Sequence, residues 1–194
     1  MDTPESIKIV KNFIEKEDIN LFIKYINNNL GKFYIDPRSK GGNRYAYKFG
    51  RDAVHPDSRP TLDELYDIRD LVDKYTSKAC KVTSEQFGHT GDLFLSSFWM
   101  AKQDPGAVVT YHKDTDQDNN LQFKYSAVLY LNSMPEYTGK LRFPELFFQY
   151  CPEEGDLVVF PSHGEEFTHG VDWIAAERYS LAFWMTEDRH FILV

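Results

Sequence analysis

Cysteine is scarce: the 194-residue chain has only Cys80 and Cys151, and their separation matches no metal or redox spacing. Two thiols cannot build a disulfide framework, so a stapled secreted module is excluded and a reduced, cytoplasmic setting is the expectation. No run approaches the ~18 apolar residues of a membrane helix, so no membrane partner is expected. Met1–Glu5 has no basic region leading into an apolar run, so no signal peptide is expected either. Positive charge is also short. Lys and Arg number 22 against 30 Asp and Glu, a net charge of −8, which argues against nucleic acid as the main partner. There is no internal repeat, low-complexity tract or linker, so a single domain over 1–194 is expected, long enough to bury a substantial core.

Aromatic residues, by contrast, make up 15% of the chain, which suits a β-rich interior. Ile7 to Phe13 alternates and predicts a strand. Ile19, Phe22, Ile23, Ile26 and Leu30 then fall on one helix face, with Gly31 as a stop. Residues 36–60 are polar and rich in Gly, Pro, Arg and Asp, predicting a long loop with a short hairpin around Tyr45–Tyr47. Its cations Arg38, Lys40 and Arg44 make it a candidate lid over an acidic target. Thr61–Glu64 resembles a capping box, and the spacing of Leu62, Leu65, Ile68, Val72, Tyr75 and Ala79 predicts a helix from about 61 to the low eighties.

From Asp92 the period changes to two. Strands are predicted over 93–102, 107–114, 122–132, 156–160, 168–173 and 178–186, with turn signals between them. Helices followed by evenly spaced strands indicate an α+β, mainly β fold. The expected architecture is an antiparallel barrel or sandwich with helices packed outside, a helical support region over about 1–90 and a β core over about 92–186.

Within that core, His112 and Asp114 are two apart. On an extended strand such residues point to one face, about 7 Å apart at Cα. A downstream histidine, His163 or His169, would complete a two-histidine, one-carboxylate set with open positions, as an iron(II) oxygenase site requires. Arg178 and Ser180 share a later strand face, where a planar guanidinium and a hydroxyl suit a carboxylate. Asp114, Asp116 and Asp118 also occupy positions 1, 3 and 5 of an EF-hand-like loop. Asn119 and Tyr125 stand where that loop needs Gly and Glu, so calcium is disfavoured. His55, His89 and His190 have no partner at ligand spacing.

Taken together, these motifs resemble the iron(II)- and 2-oxoglutarate-dependent dioxygenases, prolyl-4-hydroxylase-like branch. The resemblance rests on His112/Asp114, Tyr130-Leu131-Asn132, Gly139 with Phe143-Pro144, Pro152-Glu153-Glu154-Gly155-Asp156 ending in Phe160, His169, Arg178 and Trp184, in the family's order and spacing. It covers roughly residues 92–186. Two departures bear on substrate: an arginine stands where collagen-type members carry lysine, and the paired glycines before Phe-Pro are reduced to Thr138-Gly139.

The resemblance implies a double-stranded β-helix, jelly-roll or cupin-like, with the metal inside one open end. It implies His112, Asp114 and His169 as ligands of Fe(II), and Arg178, Tyr130 and Ser180 as cosubstrate-binding residues. The cosubstrates would be 2-oxoglutarate and O2, with ascorbate as a reductant. Hydroxylation of an unactivated C–H bond, with release of succinate and CO2, would follow. Related halogenases lack the carboxylate that Asp114 supplies. The branch points to a prolyl residue of a peptide or protein as substrate, with a free amino acid as the alternative. Tyr111 and Trp184 are candidate pocket residues, each with a packing role as the competing reading. From other classes, an inactive β-helix binding module and a calcium-binding module remain to be set against the enzyme.

Overall fold

The computed structural model describes residues 3–37, 39–50, 67–115, 122–135 and 137–191. A short strand β1 (Lys8–Val10) leads into helix α1 (Lys16–Asn28). Ile19, Phe22, Tyr25 and Ile26 form its buried stripe, spaced by three and four residues as a helix face requires. The helix ends before Gly31. The Asn29 side-chain amide donates to the Tyr25 carbonyl at 2.9 Å, satisfying an end carbonyl of the kind a glycine turn usually serves. Gly31 instead sits in a 3-10 turn, Leu30–Lys32.

Strands β2 (Tyr34–Ile35), β3 (Ser39–Lys40) and β4 (Arg44–Gly50) follow, so the described part of 36–60 is mostly strand, not loop. Lys40 is exposed, and Arg38 and His55 lie outside the described residues. Helix α2 (Arg69–Phe87) buries Val72, Tyr75, Thr76, Ala79 and Thr83 and stops at Gly88, whose φ of 58° is left-handed and favours glycine. The predicted capping box at Thr61–Glu64 lies outside the described residues.

Beyond α2 the chain is β: β5 (Phe94–Gln103), β6 (Val108–His112), β7 (Tyr125–Tyr130), β8 (Leu141–Phe143), β9 (Phe148–Tyr150), β10 (Leu157–Pro161), β11 (His169–Val171) and β12 (Arg178–Thr186). The seven-stranded sheet runs β1-β10-β7-β12-β5-β4-β2 and the five-stranded sheet β3-β6-β11-β8-β9. From β5 onward the chain passes back and forth between the two sheets, and all pairs are antiparallel. That winding is the double-stranded β-helix. Among the described residues no helix is long and apolar enough to cross a membrane.

Strand β12 shows how the layers are built, because side chains alternate between faces. Tyr179, Leu181, Phe183 and Met185 join the core shared with α1 and α2. Arg178, Ser180, Ala182 and Trp184 instead face the space between the sheets. The second core, with Phe143, Phe148, Phe160 and Phe167, fills the rest of that space. One strand thus anchors the helices on one side and lines a cavity on the other.

Candidate metal and cosubstrate site

At the end of that inter-sheet space, β6 delivers His112, β11 delivers His169, and the turn after β6 delivers Asp114. One ligand atom from each lies within 4.8 Å of the others, the only such cluster among the described residues. The route to this geometry is not the regular strand that the spacing suggests. Between the pairs His169↔His112 and Val171↔Val109, β6 spends three residues against two on β11. Such a bulge re-aims side chains. It brings His112 onto the cavity face with Val109 and turns Tyr111 outward, where it is 54% exposed. Strand pairing then stops at His112, so Asp114 arrives from a turn.

Each imidazole is oriented by the backbone carbonyl two residues before it. His112 Nδ1 lies 2.9 Å from the Thr110 carbonyl, and His169 Nδ1 lies 2.9 Å from that of Phe167. A carbonyl only accepts, so both Nδ1 atoms carry a proton and Nε2 is the ring atom that each histidine offers to a metal. Those Nε2 atoms sit 3.8 and 3.9 Å from the two Asp114 oxygens. That gap is too long for a hydrogen bond, yet within the span of two ligand bonds of about 2.1 Å meeting at one ion. The His169 ring is held between Phe160, at 4.8 Å, and Phe143, at 5.6 Å. The turn carrying Asp114 is tied down as Thr115 Oγ1 donates to the Ser162 carbonyl at 3.1 Å. Burial alone would raise the Asp114 pKa, but the two imidazoles, with Ser126 and Trp184, offset it and leave the carboxyl lowered. A carboxylate and two imidazoles whose Nε2 atoms face it make a donor set that fits a divalent ion, which binds each ring in its neutral form.

The same cavity is lined by Arg178, Ser180 and Trp184. Arg178 is 4% exposed, and among the described residues it has no carboxylate partner. Its Nη1 donates to Gln103 Oε1, its Nε has no hydrogen bond, and the guanidinium lies 5.0 Å from the Tyr130 ring centroid. Burial lowers its pKa, partly offset by Tyr130; guanidinium remains a cation regardless. Tyr130 is fully buried beneath it with an unpartnered hydroxyl, and burial raises that hydroxyl's pKa against the pull of Arg178. The Trp184 ring packs tilted against Trp99, centroids 4.7 Å apart, and walls the site.

Tyr111 does not line this cavity. It lies with Arg142, Phe147 and Gln149 in a separate pocket on the outer side of the five-stranded sheet, and the bulge is the reason. His163 is exposed in the bend after β10, away from the cluster. His89 pairs with Glu187 at 3.4 Å and His190 is exposed. Asp116 and Asp118 lie outside the described residues. Conversely, sequence reasoning placed Arg44, which lines the cavity, on a loop, and it overlooked Gln103 and Ser126, beside or lining the same cavity. Nothing in a residue-by-residue pattern marks them; they become visible only as cross-strand partners.

With this geometry in hand, comparison with known proteins is decisive. Residues 98–186 match the 2OG-Fe(II) oxygenase superfamily. The stretch that holds His112, Asp114, His169 and Arg178 is thus similar to that superfamily. Its members use Fe(II), 2-oxoglutarate and O2, and the His112–Asp114–His169 cluster provides the fitting donor set. No curated protein is a significant sequence match. Among solved structures, the viral collagen prolyl hydroxylase of Paramecium Bursaria Chlorella virus-1, in complex with 2OG, is similar with a TM-score of 0.60 at 16% identity, over 94% of this chain and 97% of that one. A Pseudomonas putida prolyl-4-hydroxylase gives 0.62 at 21%, over 94% and 93%. A Trichoplax adhaerens prolyl hydroxylase, in complex with a hypoxia inducible factor oxygen degradation domain peptide, gives 0.61 at 18%, over 94% and 84%. The chain thus has a prolyl-hydroxylase-like fold.

Proposed function

We propose that this oxygenase is a single dioxygenase domain over 1–194 that hydroxylates a prolyl residue in a peptide or protein, with release of succinate and CO2. The observation that carries the reading is that one buried cavity contains both a three-ligand metal cluster and a guanidinium with no carboxylate partner among the described residues. A ligand with a metal-chelating end and a distant carboxylate satisfies both, and 2-oxoglutarate is such a ligand.

In this reading His112 and His169 bind Fe(II) through Nε2 while their Nδ1–H groups stay on backbone carbonyls, which holds both rings in one tautomer. Asp114 supplies the anionic ligand. Arg178 takes the far carboxylate, with Ser180 on the same strand face and Tyr130 beneath the guanidinium as further donors. The packed rings of Trp184 and Trp99 keep water from that side of the cavity. Bound Fe(II), with 2-oxoglutarate and O2, supplies the oxidising power for attack on an unactivated C–H bond. The prolyl substrate rests on the similarity of fold to prolyl hydroxylases, one of them in complex with a peptide.

The test is succinate formation by Fe(II)-loaded protein with ascorbate, on admission of O2, with and without proline-containing peptides. Peptide-stimulated succinate with a +16 Da peptide product is the expected result. Stimulation by free proline but not by peptides would move the substrate to a free amino acid. A folded, Fe(II)-loaded protein that makes no succinate would overturn the enzyme in favour of a binding module.

A further inference from the structure

We propose that Gln103 is a cosubstrate-reading residue, whose side-chain N–H donates to the far carboxylate of the bound 2-oxo acid beside Arg178. The inference rests on the assignment of Arg178 as the carboxylate anchor. Gln103 is the last residue of β5 and is fully buried. It is the cross-strand partner of Arg44 on one side and of Arg178 on the other, on the strand face where Ala101 lines the cavity.

The chemistry of its neighbour fixes the orientation of the amide. Arginine can only donate, so the atom that meets Arg178 Nη1 must be the carbonyl oxygen Oε1. The amide nitrogen Nε2 is thereby turned the other way, and it is buried without a partner. Arg178 Nε and the Tyr130 hydroxyl are buried and unpartnered as well. Two N–H groups and a hydroxyl around one guanidinium therefore need an acceptor. Buried polar atoms in folded proteins are nearly always satisfied, and clustered exceptions call for a missing group. A carboxylate has two oxygens and about four acceptor sites, and no protons to clash with such donors. The Arg44 charge in the same register row is met by Asp36 at 2.9 Å, so the cation beside Gln103 that lacks a carboxylate among the described residues is Arg178. Gln103 thus has two duties: its oxygen positions the guanidinium, and its nitrogen reads the ligand.

The test uses the full chain loaded with Mn(II), which supports no turnover, and measures the dissociation constants of 2-oxoglutarate and of pyruvate by calorimetry. Pyruvate keeps the chelating 2-oxo acid end but lacks the far carboxylate. Gln103→Met removes one neutral donor and should weaken 2-oxoglutarate by about 5-fold. Gln103→Glu places a carboxylate on Arg178, competes with the ligand's own, and should weaken it by at least about 30-fold. Pyruvate and Mn(II) affinities should stay within about twofold in both, a pattern that general damage to the site would not produce. Gln103→Glu is nearly isosteric and gains an internal ion pair, so it should fold at least as well as the parent. Wild-type-like 2-oxoglutarate binding by Gln103→Glu, or equal losses for pyruvate, overturns the proposal for Gln103 while leaving the Arg178 anchor standing. If Arg178→Met also binds 2-oxoglutarate as the parent does, the anchor assignment itself has failed.

Discussion

Replacing Arg178 by methionine should separate stability from ligand binding. In the ligand-free protein two effects oppose each other. Methionine removes a buried cation that, among the described residues, meets an amide oxygen and no carboxylate, which relieves desolvation. It also strips Gln103 Oε1 of its donor, at a cost of about 1–3 kcal/mol. The two roughly offset, so the unfolding temperature should move by only a few degrees. Binding is different, because folding has already desolvated the guanidinium. A bidentate carboxylate contact then gains two charge-assisted bonds of at least about 1.5 kcal/mol each, about 3 kcal/mol or roughly 150-fold in Kd. At 2-oxoglutarate equal to 100 times the parent Kd, linkage stabilises the parent by about 2.7 kcal/mol, or about 5–11 °C for a chain of this size. The variant, at the same concentration, sits below its own Kd and should rise by about 1 °C. Differential scanning fluorimetry with Mn(II), with and without 2-oxoglutarate, reads both quantities. A variant that keeps the parent's ligand-dependent rise would refute the anchor; one that cannot fold without ligand would refute the claimed balance.

Further outcomes follow from the same geometry. Asp114→Ala leaves two imidazoles and no charge, and should abolish both succinate production and tight Fe(II) binding; full turnover would exclude this ligand set. Tyr111→Ser should leave Mn(II) and 2-oxoglutarate affinities within about twofold, since the bulge turns that ring outward; a tenfold loss would contradict it. Phe22→Ala, in the fully buried face of α1, should cost about 3–5 kcal/mol, seen in chemical denaturation. Burial raises the Asp18 pKa, but the stronger joint effect of hydrogen bonds from Lys74 and Tyr75 leaves it lowered. A carboxylate with a depressed folded pKa stabilises above its unfolded value and loses that contribution as pH falls through the folded one. The acid limb of stability below about pH 4 should therefore flatten in Asp18→Asn, and an unchanged limb would dismiss the pair.

How far a pattern of residues can be read depends on whether the backbone stays regular. Strand β12 is legible end to end because nine residues keep the period-two alternation without a break on that strand, so Arg178 and Ser180 fall on one face as expected. Helix α1 and the body of α2 are legible for the same reason at period 3.6. Where regularity fails, three cases have a plain physical reason. Strands β8 and β9 have three residues each, too few for any period to show. Strand β4 is polar on its inner face, with Arg44 and Lys48 about Ala46, so it imitates a loop; its pairing with β5, not its own hydrophobicity, makes it a strand. The bulge in β6 is the most instructive.

An unbroken alternation carrying Val109 into the cavity would carry Tyr111 with it and leave His112 outside. The sequence pairs His112 with Asp114 for a sound reason, that both are donors, but by the wrong geometry, since one ends a strand and the other opens a turn. Ligand identity survives this error because it is a matter of chemistry, and a histidine or carboxylate is visible wherever the backbone places it. Neighbours such as Gln103 do not survive it. An isolated glutamine carries no chemical signal, and its meaning here comes wholly from lying across from Arg178. Residues that act by chemistry can therefore be read one at a time, whereas residues that act by position have to be read in pairs, and only the sheet register supplies the pairs.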